Sequence, residues 1–256
     1  MSKEIFDTNH LSKTYFQMAI PVVLGMIVTL LYSLADTYFI SRTESIPLIA
    51  GGSICSPLFN GLMAFGNIYG QGGSSVLSRM YGKQDKEGIA HVSSFCFYIA
   101  ILTGLFIAFI MLLFRGPILL LLGADPDTMA YASEYYTVLC AGAPIIITNF
   151  IHSNLLRCEG LAKESRIGSI GGTLINIVLD PIFIFAFDLG ALGAALATVA
   201  GYLASILFFL FIVHKKSGYM SLDPRLCFVD RESLTQIFGV GITAAITNLT
   251  SSISVV

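Results

Sequence analysis

Apolar residues run along this chain in long stretches, broken by short segments that hold nearly all of the charge. A helix needs about 20 apolar residues to cross the hydrocarbon of a bilayer, and runs of roughly that length recur at 13–40, 47–78, 90–114, 128–156, 165–187, 190–214 and 234–256. They are too long and too uniformly apolar for barrel strands, which alternate in segments of about ten residues. The pattern predicts an all-α, polytopic transmembrane helical bundle of about seven spans.

Composition and charge sharpen that picture. Only 12% of residues are charged against 55% hydrophobic, with mean hydropathy +0.80, which excludes a soluble domain. Lys and Arg accumulate in loops that stay in the cytoplasm. Of the 14 cations, all but Arg42 and Arg115 fall in the N-terminal lead and in the loops after the second, fourth and sixth runs. The N-terminus and those loops are therefore expected inside, in a multi-pass protein of the plasma (inner) membrane. A net charge of −2 and a pI near 6.0 offer nothing to a nucleic acid, so the expected surroundings are the lipid bilayer. The five cysteines show neither a CxxC pair nor metal-ligand spacing and read as small packing residues.

Met1–His10 contains no apolar signal segment, so the first run is expected to be a retained span. The chain stops at Val256 while still apolar, which reads as a cut within a helix. Sliding the seventh run onto the first aligns Ile242 with Ile20, Ile246 with Leu24 and Ile253 with Leu31, the weak trace of an internal duplication.

A carboxylate inside a span costs at least ~2.5–3.5 kcal/mol to insert, so each one asks for a function. Two lie deep. Asp36 falls about 6 Å from the outer end of the first run and Asp180 about 10 Å from the outer end of the fifth, at 1.5 Å per residue. Similar depth on different helices suits a shared polar cavity that takes up a proton or Na+, although a lone carboxyl near a helix end can also simply reach the interface. Asn176 sits one turn before Asp180 on the same face, within hydrogen-bonding reach of its carboxyl. Tyr136, Asn149 and Asn154, with Tyr135 and His152, put polar groups along the fourth run, where a substrate cavity would use them or where they simply pack. Glu134 and Glu159 read as interfacial charges.

Pro21 removes a backbone hydrogen bond inside the first run, giving either a hinge or a static kink. Pro144 and Pro181 act similarly, and Pro181 directly follows Asp180. The second run is rich in glycine, with Gly66 and Gly70 in GxxxG spacing that lets another helix approach closely. Gly70-Gln-Gly-Gly-Ser-Ser lacks the Lys of a phosphate-binding loop and follows no strand. With no His/Glu metal cluster and no nucleophile between glycines, the chain is not expected to be an enzyme. It needs no cofactor, and no metal beyond a Na+ ion at Asp36, Asn176 and Asp180 if sodium is the coupling ion.

Five pieces together resemble the multidrug and toxic compound extrusion family. They are Ala19-Ile20-Pro21 with Asp36-Thr37, the Gly70–Gly82 stretch, Arg157-Cys158-Glu159-Gly160, Asn176 through Asp180-Pro181-Ile-Phe, and the small-residue run Gly190–Gly201. The resemblance implies twelve helices in two related six-helix lobes, with organic, often cationic, toxic compounds exported from a cavity between them against inward H+ or Na+. It implies that this chain is similar to the first lobe (1–214), a cytoplasmic inter-lobe linker (215–233) and the first helix of a second lobe (234–256). The remainder of the C-terminal lobe would be a missing partner. It also implies that Asp36, Asn176 and Asp180 couple the ion and that Pro21 is where the first helix bends. Thr243 stands where a repeated Pro21 would fall. Two alternatives are a lipid-linked oligosaccharide flippase of the same superfamily, which would call for intramembrane Arg or Lys, and a seven-helix receptor, which would normally keep its N-terminus outside.

Overall fold

The computed structural model describes residues 46–253 together with Val23, Ile27, Leu30, Leu34 and Tyr38, which are helical and turn exposed side chains outward at spacings of three or four. Pro21 and Asp36 lie outside the described residues. Among residues 46–253 eight α-helices follow in order: α1 (Ile46–Ile54), α2 (Ser56–Lys83), α3 (Lys86–Leu113), α4 (Arg115–Leu121), α5 (Met129–Cys158), α6 (Ala162–Pro181), α7 (Gly190–Lys216) and α8 (Arg231–Ile253). Among the described residues five stretches are long and apolar enough to cross a membrane: Ile49–Lys83, Lys86–Leu113, Met129–Cys158, Ala162–Ala186 and Gly190–Lys216. They match the second to sixth predicted spans to within a few residues. The seventh falls on α8, whose threonines and serines dilute its apolar content and which is not among the five.

Local chemistry sets the breaks. Asp85 caps α3 by accepting from the Gly88 amide at 3.0 Å, and Gln84 turns the chain from α2 with φ 58°. Gly160, at φ +89°, makes the tight turn from α5 to α6, a conformation a side chain would resist. Pro181 has no amide hydrogen to continue the ladder of α6, and the next turn, Ile182–Ala186, widens into a π-helix with the Phe187 amide donating to the Ile182 carbonyl at 3.0 Å. A disturbed backbone directly after Asp180 was the expectation.

Helix α5 is the axis of the bundle. It packs against α2, α3 and α7, and its buried side chains Tyr136, Leu139, Ile146, Ile147 and Ile151 anchor the core. Glycines allow close crossings. A Cβ on Gly66 would stand 2.8 Å from that of Phe150 on α5, and one on Gly104 would strike the backbone of Pro144. Close contacts also join α2 to α8, where Gly72 abuts the Ile237 carbonyl and Gly241 abuts the Ile68 carbonyl. The GxxxG pair thus serves α2 against α5, while Gly72 receives α8. Away from the core, α3 exposes Leu102, Leu105, Phe106, Phe109 and Leu113, an apolar face of the kind that meets lipid.

The basic loops gather at one end of the bundle. There the Lys216 ammonium meets Glu164 at 2.8 Å and the Lys86 ammonium stands 5.1 Å over the ring of Tyr219. The segment after α7 is strapped to this end. The Ser221 carbonyl accepts from the hydroxyls of Ser93 and Ser94 at 3.2 and 2.9 Å, and the Leu222 carbonyl accepts from Tyr98 at 2.9 Å. Glu159, expected at an interface, receives the Ser217 hydroxyl and the Gly218 amide at 2.8 and 3.0 Å.

Candidate functional site

A cavity of about 310 Å³ opens between α2, α5, α6 and α7. Its wall toward α2 is apolar and aromatic: the Tyr202 ring lies 5.9 Å from both Phe59 and Phe150, with Met63 beside them. Its opposite wall is polar and comes from one face of α6, where Ser169, Thr173 and Asn176 recur at helical spacing. Such a mixture suits an organic molecule with an apolar body and few polar groups.

Glycine lets the polar wall form. Gly172 on α6 and Gly201 on α7 face each other so closely that a Cβ on Gly201 would lie 2.7 Å from the Gly172 carbonyl oxygen. The Ser205 hydroxyl donates to the Gly168 carbonyl at 2.9 Å across the same crossing. This proximity brings the Asn176 amide nitrogen within 3.4 Å of the Thr198 hydroxyl, which donates in turn to the Ala194 carbonyl at 3.0 Å.

Asp180 is fully buried one turn beyond Asn176, and Asn176 is 3% exposed. Carboxylate, amide oxygen and hydroxyl are the hard oxygen donors that an alkali cation accepts, and the carboxylate alone can hold a proton. Among the described residues no group of three or more His, Cys, Asp or Glu gathers as a metal site. Among the described residues, two buried polar atoms of the cavity find no hydrogen-bond partner: the Asn176 carbonyl oxygen and the Asn149 amide nitrogen.

Of the residues expected to line a substrate cavity, Asn149 borders the cavity between α2, α5, α6 and α7. Tyr136 instead sits in the α3–α5 core and donates to the Met111 carbonyl at 2.8 Å, because its ring needs burial and its hydroxyl a partner. Asn154 lies nearer the basic end, in a separate cleft with Gln71, Ser74 and Arg157, and its amide donates to the Phe150 carbonyl at 2.7 Å. His152 is buried edge-on to Phe97, its Nδ1 donating to the Thr148 carbonyl at 3.1 Å, and lines no described cavity. Sequence reasoning passed over Thr198, Tyr202, Ser169 and Thr173. The stripe of polar residues every three or four positions before Asp180 was the signal for the last two. Thr198 and Tyr202 gave a fainter one, recurring with Ser205 at helical spacing on a mostly apolar helix.

The family model described as MatE matches residues 21–182. Multidrug export protein MepA of Staphylococcus aureus is 35% identical over 239 residues, 93% of this chain and 53% of its own length. MepA of Staphylococcus haemolyticus is 32% identical with the same coverage. An outward-facing conformation of a multidrug resistance MATE family transporter superposes with a TM-score of 0.84 at 33% identity, over 92% of this chain and 52% of that one. An inward-facing conformation of such a transporter gives 0.84 as well, at 33% identity over 93% and 54%. The chain spans about half the length of the curated relatives it matches.

Proposed function

We propose that this chain, which belongs to the MatE family, provides the ion-coupling lobe of a secondary antiporter that expels organic, often cationic, compounds against H+ or Na+. The observation that carries this reading is a fully buried carboxylate, Asp180, one turn beyond Asn176, which with Thr198 lines an amphipathic cavity. Residues 1–214 form the lobe, 215–233 the linker and 234–256 the first helix of a second lobe. The basic end faces the cytoplasm of a cell whose plasma membrane holds the transporter.

Coupling requires that cation and drug favour different conformations, since a ligand with equal affinity for both shifts nothing. With the cavity open outward, Asp36 and Asp180 take up the cation, with Asn176 supplying an amide oxygen for Na+ or a hydrogen bond for a protonated carboxyl. The first helix bends at Pro21 and the drug leaves from the aromatic side of the cavity. Neither Lys nor Arg is among the described residues that line this cavity, which argues against a flippase for phosphate-linked lipids.

Asp36→Asn in a polypeptide that carries both lobes is expected to abolish drug resistance at unchanged membrane abundance; retained efflux would remove that carboxylate from the mechanism. The 256-residue chain alone is expected not to export drug.

A further inference from the structure

A carboxylate that loads its cation from one side of a membrane must release it to the other, and the polar face of α6 continues past the cavity toward the basic end. Below Asn176 come Thr173, Ser169 and Ser165, each one turn on, over about 16 Å of helix at 1.5 Å per residue. The Thr173 hydroxyl donates to the Ser169 carbonyl and the Ser169 hydroxyl to the Ser165 carbonyl, both at 3.0 Å. Ser165 breaks this pattern. Its hydroxyl reaches across to α5, donating to the Ser153 carbonyl at 2.8 Å and lying 3.1 Å from the Ser153 hydroxyl. Ser165 is 1% exposed yet stands only three residues after Ala162, where α6 begins at the basic end.

Serines that bond back to their own helix are ordinary packing in an apolar surrounding. Two observations set this stripe apart. The space beside it is an open cavity of about 310 Å³, room for on the order of ten waters at ~30 Å³ each. That cavity also presents a buried acceptor, the Asn176 carbonyl oxygen, and a buried donor, the Asn149 amide nitrogen, that have no partner among the described residues. Buried polar atoms left without a protein partner are usually satisfied by ordered water, and a donor and an acceptor in one cavity suit that.

We propose that the face of α6 from Asn176 to Ser165 is a hydrated passage through which the cation held at Asp180 exchanges with the solvent at the basic end, the Ser153–Ser165 pair being its constriction. The passage lies inside this lobe, separate from any cleft between lobes, and the hydroxyls of its constriction can turn to donate or accept as water or a cation goes by. It rests on the coupling role of Asp180 for its purpose but not for its detection.

The test uses the full chain in sealed membrane vesicles with the basic end accessible, with Cys158 and Cys227 replaced by serine, Cys55, Cys96 and Cys140 by alanine, and Thr173→Cys introduced. The probes are Ag+, comparable in size to Na+, and the bulky cationic thiol reagent MTSET. Modification is read as lost maleimide labelling after denaturation. Ag+ added at the basic end is expected to modify Thr173→Cys but not Leu174→Cys, which faces outward from the bundle, and MTSET is expected to modify neither. Adding Ser165→Leu should slow the Ag+ reaction at least tenfold, Ser153→Val should slow it likewise from the α5 side, and Ser165→Ala should leave it fast. Reaction only from the opposite side, or an unchanged rate with both narrowed constrictions, would overturn the passage. Dependence of transport on Asp180, measured separately, stands or falls independently of that result.

Discussion

Gly201→Ala tests whether the α6–α7 crossing builds the candidate site. The new Cβ would lie 2.7 Å from the Gly172 carbonyl oxygen and 3.0 Å from the Asn176 Cβ, whereas ordinary contact begins near 3.4 Å. The first obstacle is backbone, so the helices must separate locally by about 0.7 Å. The Asn176–Thr198 hydrogen bond already spans 3.4 Å and does not survive such a displacement. Overpacking of this kind costs ~1–3 kcal/mol, and the lost hydrogen bond falls within that range. Thermal unfolding in detergent, followed by a thiol-reactive dye, reads the effect directly because Cys55, Cys96 and Cys140 are fully buried and become reactive only on unfolding. Gly171→Ala is the control: a Cβ there meets nothing within 4 Å, and the exchange should stabilise α6 slightly. Gly201→Ala melting at or above the wild-type temperature would refute the close crossing and, with it, the account of how Asn176 is held.

Removing two of the linker's anchors with Ser94→Ala and Tyr98→Phe takes away hydrogen bonds worth ~1 kcal/mol each, so tryptic cleavage at Arg225 should accelerate roughly thirtyfold while the bundle stays folded. An unchanged rate would mean that the strap is held by other contacts. The Asp230 carboxyl accepts hydrogen bonds from Ser233, which hold it below the usual carboxylate value of 3.8. A group depressed on folding contributes stability above its unfolded value and loses it as pH falls through the lower folded value. Hydrogen-exchange protection of the first turn of α8, corrected for intrinsic rates, should therefore be flat from pH 7 to about 4 and decline only below. Loss of protection already above pH 5 would contradict the cap.

Much of the bundle is visible in the sequence because bilayer thickness imposes a length on every span, and the five long apolar stretches begin and end within a few residues of the predicted runs, whereas the break at Cys55 inside the second run and the short α4 were not anticipated. The cost of burying a carboxylate likewise exposes Asp180, and helical spacing places Asn176 beside it. Thr198 could not be found that way: a threonine in an apolar helix is cheap, and only the approach allowed by Gly172 and Gly201 turns it toward Asn176. Tyr136 looked equally suited to a cavity and lies in the core, since a one-dimensional pattern does not say which of several buried faces of α5 meets α3 and which meets α6. The same blindness hides the α2–α8 contact, where Gly72 matters more for what stands opposite it than for its place in a glycine-rich run.

The most direct test of a coupling carboxylate in this lobe is drug-driven cation movement in proteoliposomes holding a polypeptide with both lobes. An imposed drug gradient should pump H+ or Na+ uphill in the opposite direction, and Asp180→Asn should abolish that flux while drug still binds. Uphill cation movement that persists in Asp180→Asn would contradict the account.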